Sequence, residues 1–200
     1  MTPELTVCVV DDDADVRDSL SILLSRHYRV LTFASARDFL DAGIKTGGTC
    51  VLADIRMPEM DGLALQREIN RTIAGMPVLI MTGHGDVPMA VQAMKEGAVE
   101  FLEKPFEREQ LLDALETAFA RGRQTAPAAE TGGDLPRKAL TERERNVFEL
   151  LVQGHQNKVI AHKLGISTRT VEVHRGRVMD KLRAKNLADL VRYAMREKPR

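Results

Sequence analysis

Five residues able to do chemistry stand directly behind apolar runs. TVCVV at 6–10 leads into Asp11 and Asp12, CVLA at 50–53 into Asp54, PVLIM at 77–81 into Thr82, and the run at 98–102 stops just before Lys104. Three carboxylates held within about 4 Å would repel by roughly 4 kcal/mol per pair at an effective dielectric near 20, so such a cluster requires a counterion. All-oxygen ligands with room for water suit a small hard cation, Mg²⁺ ahead of Ca²⁺, because few protein ligands are at hand and no EF-hand loop is present. A carboxylate beside such an ion, a lysine and a hydroxyl is equipped to attack phosphorus. The ion and Lys104 would neutralise the phosphoryl oxygens, Asp54 would be the nucleophile, and Thr82 would hydrogen-bond the product.

The elements that must position these residues follow from the same runs. Apolar stretches at 6–10, 28–33, 49–53, 77–81 and 98–102 alternate with amphipathic stretches such as 15–26 and 107–120. Repeated strand-then-helix predicts an α/β fold, a doubly wound five-stranded parallel sheet with helices on both faces. The near-unbroken apolarity of CVLA and PVLIM fits strands buried on both sides. In an open parallel sheet, ligands bind beyond the carboxyl ends of the strands, so all five residues share one edge. Asp13 is expected at the entry to the first helix, where its charge favours the helix dipole by ~0.3–1 kcal/mol.

RQTAPAAETGGDLPR at 123–137 has Pro127, Gly132, Gly133 and Pro136 among small and polar residues and reads as a linker. Beyond it the strand signal ends. LTERERNVFELLVQG, NKVIAHKLG, STRTVEVHRGRVMDKLR and LADLVRYAMRE read as four helices around a short LGIS turn, the pattern of helix-turn-helix. Thr141 with Glu144 has capping-box spacing, Gly154 and Gly165 suit C-terminal caps, and Ser167 suits an N-cap.

The formal charge is zero overall but −7 over residues 1–124 and +7 over 139–200. A basic half of this size is the footprint of a nucleic-acid-binding module, and an acidic partner half would also be able to mask it. No run approaches the roughly 18 apolar residues of a membrane helix, and the first twenty residues carry acids where a signal peptide would be apolar. The expectation is a cytoplasmic protein without a membrane partner. Cys8 and Cys50 lie inside apolar runs and read as buried thiols. The five histidines lack metal-ligand spacing, and TGHG lacks the lysine and serine of a P-loop.

On a helix starting after Ser167, Val171, Val178 and Leu182 fall within about 20° of one direction, with His174 beside them. That is the expected buried face. Arg169, Glu172, Val173, Gly176 and Asp180 point the other way, with Arg177 at the margin. In a major groove Val173 would touch a thymine methyl, Glu172 would accept from cytosine, and Arg169 would reach guanine or phosphate.

VVDDD, LADIRMPEMDG, MTGHGDVPMAV and EFLEKPF together resemble the receiver domain of two-component response regulators, of the FixJ type, over residues 5–122. The resemblance implies a flavodoxin-like receiver in which Asp54 is the phosphoacceptor. Asp11, Asp12 and Asp54 would hold Mg²⁺ with the backbone carbonyl of Arg56, and Thr82, Phe101 and Lys104 would be switch residues. It also implies a cis Lys104-Pro105 bond, which a prolyl peptide makes cheap, and an active dimer built on about 86–106. Residues 140–194 resemble the LuxR-type helix-turn-helix, with LTERE, NKVIAHKLGIS, RTVEVHR and VMDKL in order. That resemblance implies a recognition helix from Thr168 to Lys181, with Lys158, Thr170, Arg175, Arg177 and Lys181 against phosphates. Val159 stands where Glu is common, and Gly176 replaces a side chain that often faces the groove, at ~1 kcal/mol of helix stability against Ala.

The combined expectation is a receiver at 1–122, a linker at 123–138 and a DNA-binding domain at 139–200. The protein would be a transcriptional regulator rather than an enzyme. A sensor histidine kinase would supply phosphate, and the phosphorylated homodimer would bind promoter DNA, with RNA polymerase a further partner. The alternative is a Mg²⁺-dependent phosphotransfer enzyme of the haloacid dehalogenase type with an aspartyl-phosphate intermediate. Its D-x-D-x-T/V motif fails here, because the fifth position is Asp15 counted from Asp11 and Arg17 counted from Asp13.

Overall fold

The structure, a computed structural model, describes residues 5–83, 87–122 and 140–197. The expected linker at 123–138 and His84 lie outside the described residues. Two compact units result, Met1–Asp86 with Glu96–Ala128, and Val87–Lys95 with Ala129–Arg200.

In the first unit five strands form one sheet: β1 (Thr6–Val10), β2 (Arg29–Phe33), β3 (Thr49–Asp54), β4 (Val78–Thr82) and β5 (Glu100–Glu103). Its helices are α1 (Ala14–Leu24), α2 (Ala36–Asp41) and α3 (Gly62–Thr72). In chain order α4 (Val87–Lys95), which groups with the second unit, precedes α5 (Arg108–Gly122) of the first. The strand order is β2-β1-β3-β4-β5 and every pairing is parallel. Strand order therefore reverses between β1 and β3, the position at which doubly wound sheets open a ligand crevice.

Alternate strand residues face opposite layers. Val7, Val9, Cys50, Leu52, Leu79 and Met81 join Leu20 and Leu24 of α1 and Leu111, Leu115 and Phe119 of α5 in one core. Cys8, Val10, Val51, Ala53 and Ile80 are fully buried on the other face, where right-handed crossovers place α2 and α3. Each large aliphatic or aromatic side chain so buried contributes ~1.5–3 kcal/mol. Both cysteines are free and buried. β5 begins at Glu100 rather than at residue 98, because the apolar run starts in the approach to the strand, where Ala98 and Val99 are already buried.

The second unit carries α6 (Glu142–Leu151), α7 (Asn157–Leu164), α8 (Thr168–Leu182) and α9 (Leu187–Glu197). Thr141 and Glu144 form the capping box, Ser167 caps α8 by accepting from the Thr170 N–H, and Gly165 closes α7 at φ 64°. Gly154 is not the cap itself. α6 ends at Leu151 with Val152 as its C-cap, and Gly154, at φ 88°, turns the chain two residues later, its own N–H and that of His155 meeting the Leu151 and Leu150 carbonyls. Val147, Phe148, Ile160, Val171, Val178, Leu190 and Val191 form the buried interior, with Tyr193 edge-on to Phe148. Among the described residues no helix is long and apolar enough to cross a membrane.

Candidate functional site

β1 and β3 are neighbours with Val10 opposite Ala53, so their carboxyl ends deliver Asp11 and Asp54 side by side at the reversal point. Asp11 is 1% exposed and Asp54 8%. One ammonium joins them: Lys104 Nζ donates to Asp54 Oδ1 at 2.5 Å and to Asp11 Oδ2 at 2.9 Å. Lys104 is itself placed by strand pairing, because Thr82 lies opposite Glu103 and the Lys104 N–H donates to the Thr82 carbonyl at 2.7 Å. Its bond to Pro105 is cis.

The other Asp54 oxygen, Oδ2, accepts from the Arg56 N–H at 2.7 Å. Burial pushes the Asp54 carboxyl above its ordinary value, against the pull of Lys104 and the Arg56 N–H, and the Asp11 charge adds to the rise. For Lys104, burial acts downward, but its hydrogen bonds to Asp54 and Asp11 leave it raised. Two carboxylates share one cation, and Asp54 is placed among them as a nucleophile.

Asp12 behaves differently from its neighbour. It is exposed where Asp11 is buried, and among the described residues no three His, Cys, Asp or Glu side chains form a ready metal-ligand cluster. Asp13 is the N-cap of α1, accepting from the N–H groups of Asp15 and Val16. Thr82 is fully buried at the end of β4, with its hydroxyl donating to the Gly83 carbonyl at 3.2 Å, and Phe101 is 8% exposed.

Two features of the site escaped the sequence reading. Arg17 Nη1 donates to the Asp11 carbonyl at 2.6 Å, pinning the turn that carries both acids. Gly62 brings the start of α3 against the end of β3, since a Cβ there would lie 2.4 Å from the Asp54 carbonyl oxygen. The first had no periodic signal. The second was signalled by Asp61-Gly62, an N-cap followed by a residue without a side chain; Asp61 does accept from the Ala64 N–H.

Residues 7–116 match the response regulator receiver domain, and residues 138–194 match the luxR family of bacterial regulatory proteins. The chain is 48% identical over 200 residues to the transcriptional regulatory protein FixJ of Azorhizobium caulinodans, covering 98% of this chain and 94% of that one. The chain belongs to the FixJ-like response regulators. FixJ of Bradyrhizobium diazoefficiens is 46% identical, with 98% and 97% covered. The crystal structure of full-length FixJ from B. japonicum, 46% identical, covers 98% of each chain with a TM-score of 0.57. The regulator is thus a phosphorylation-dependent transcriptional regulator with a receiver and a LuxR-type DNA-binding domain, and the phosphotransfer-enzyme alternative is not favoured.

In the DNA-binding domain of this regulator α8 spans the expected recognition helix. Val171 and Val178 are fully buried and Leu182 is 6% exposed, as the periodicity predicts. Arg169, Glu172, Val173, Gly176, Arg177 and Asp180 form an exposed strip at helical spacing. Val173, 47% exposed, is an apolar residue in that strip. Thr168 is exposed at the start of α8 and Lys158 on α7, while Thr170 and Arg175 are half-buried at the edges. Lys181 is half-buried and paired within the domain: its Nζ donates to Glu144 Oε2 at 2.7 Å.

Proposed function

We propose that Asp54 takes the phosphoryl group from a phosphohistidine of a sensor histidine kinase, and that this controls promoter binding by the exposed strip of α8. The observation that carries the reading is the grip on Asp54: one oxygen held by Lys104, the other by the Arg56 N–H, at the end of a strand beside Asp11. An Asp54 oxygen forms the new bond to phosphorus as the phosphorus–nitrogen bond breaks, and the electron pair and a proton stay with the departing imidazole. Lys104 and the Arg56 N–H are placed to neutralise charge developing on the transferred group.

Mg²⁺ would be held by Asp11, Asp12, Asp54 and the carbonyl of Arg56. The donors are all hard oxygens and their charge exceeds that of Lys104, which fits such an ion. When bound, the ion supplies charge neutralisation to the phosphoryl oxygens. Thr82 and Lys104 would bond the new phosphoryl oxygens, and Phe101 would follow, biasing an existing equilibrium between two conformers. We take the face at about 86–106 as the homodimer surface, the domains as 1–122 and 139–200 around a linker, RNA polymerase as a further partner and the cytoplasm as the location.

On DNA, Arg169, Glu172 and Val173 would meet base edges, and Thr168, Thr170, Lys158, Arg175 and Arg177 would meet the backbone, Gly176 leaving a gap between them. The test is binding to a duplex selected from a random pool, with and without acetyl phosphate and Mg²⁺, for wild type and Asp54→Asn. The phosphodonor should tighten wild-type binding at least tenfold and leave Asp54→Asn unmoved. Equal affinity in all four conditions would overturn the reading.

A further inference from the structure

The ion pair between Glu144 and Lys181 joins elements 37 residues apart in the chain. Glu144 sits in the first turn of α6, its side chain 3% exposed, and the same Oε2 accepts from the Thr141 N–H at 2.8 Å and from Lys181 at 2.7 Å. Lys181 lies one residue before the end of α8. The Lys181 side chain is 36% exposed, but its ammonium is committed to a buried carboxylate of its own domain.

The position of the pair around α8 gives it a task. Val171, Val178 and Leu182 are the buried residues of α8, within about 20° of a single direction, and the side chains flanking them are only half-buried. Contacts concentrated near one line fix the height of a helix better than they resist its roll. Lys181 stands about 80° from the stripe at 100° per residue, on one flank, where a bond to α6 resists roll directly. Roll is the motion that would swing Arg169, Val173 and Gly176, on the opposite side, away from their base pairs.

Resting on the DNA-binding reading above, we propose that Lys181 is a positioning residue. Through Glu144 it fixes the roll of α8, and so the specificity of base reading, and it is not a phosphate contact. Two substitutions of opposite charge separate these roles. Lys181→Met removes a positive charge and Glu144→Gln removes a negative one, yet both remove the same ion pair.

The experiment measures affinity for the selected duplex and for poly(dI-dC) over a range of salt, at a temperature where circular dichroism shows each variant folded. Expected is that both variants lower the ratio of specific to non-specific affinity about tenfold, as loss of one aligned base contact would. Both should keep the wild-type salt slope, and Lys181→Arg should restore the ratio. The proposal is overturned if Lys181→Met weakens both duplexes equally and makes the slope shallower by about 0.9 while Glu144→Gln tightens both, which is the signature of a phosphate contact. It is also overturned if melting temperatures fall and affinities of the folded proteins do not change. Failure of wild type to prefer any duplex would remove the DNA-binding reading itself, and is read from wild type alone.

Discussion

Neighbouring residues of one type do different work in this protein, and what separates them is direction. Asp11 is buried and shared with Lys104, Asp12 is exposed, and Asp13 caps a helix. At the same scale, Glu144 is strongly altered by folding: the hydrogen bond from Lys181, followed by the Thr141 N–H, holds it down from an ordinary 4.5 to about 2. A carboxyl depressed in the folded state stabilises fully above its unfolded value, and that contribution is lost as pH falls through the folded one. The urea midpoint of wild type should therefore drop between pH 4.5 and pH 2 more steeply than that of Glu144→Gln. Parallel curves for the two proteins would show that the pair contributes nothing to folding.

Elements meet closely in one place and loosely in another, and glycine marks both. A Cβ on Gly62 would lie 2.4 Å from the Asp54 carbonyl oxygen and 3.0 Å from the Ile55 Cα, both backbone atoms, so α3 or β3 would have to move. Gly62→Ala should cost about 1–3 kcal/mol of stability and slow phosphorylation from acetyl phosphate, because Asp54 hangs on the displaced strand. Gly176 is the opposite case. It sits within α8, and a Cβ there meets nothing within 4 Å. Gly176→Ala should stabilise the helix by up to ~1 kcal/mol, raising the melting temperature. A lower melting temperature for Gly176→Ala, or an unchanged one for Gly62→Ala, would contradict this account of the two helices.

At the scale of the whole molecule the acidic and basic halves carry separate chemistry, and phosphate on one must reach DNA through the other. If phosphorylation assembles the homodimer, binding to a duplex with two inverted half-sites should steepen with protein concentration, towards a Hill coefficient of about 2. Sedimentation should show the shift from one copy to two under acetyl phosphate, and Asp54→Asn should show neither. A phosphorylated protein that binds as a single copy would remove the dimer from the mechanism.

What the sequence determined by itself was the periodic and the punctuated. Runs buried on both faces announced five strands, polar residues at their ends announced one functional edge, and Thr141, Gly165 and Ser167 announced helix ends, because each signal is local along the chain. The buried stripe of α8 and the stranded valine at 173 were legible for the same reason. Tertiary structure alone decided which ends are neighbours: the β1–β3 pairing that sets Asp54 beside Asp11, the Lys104 ammonium between them, and the Arg17 guanidinium on a carbonyl. It also paired Lys181 with Glu144, where resemblance to the LuxR-type motif had implied a phosphate contact. A wheel gives an angle around one helix, but whether that angle meets water, DNA or another helix depends on what packs against it.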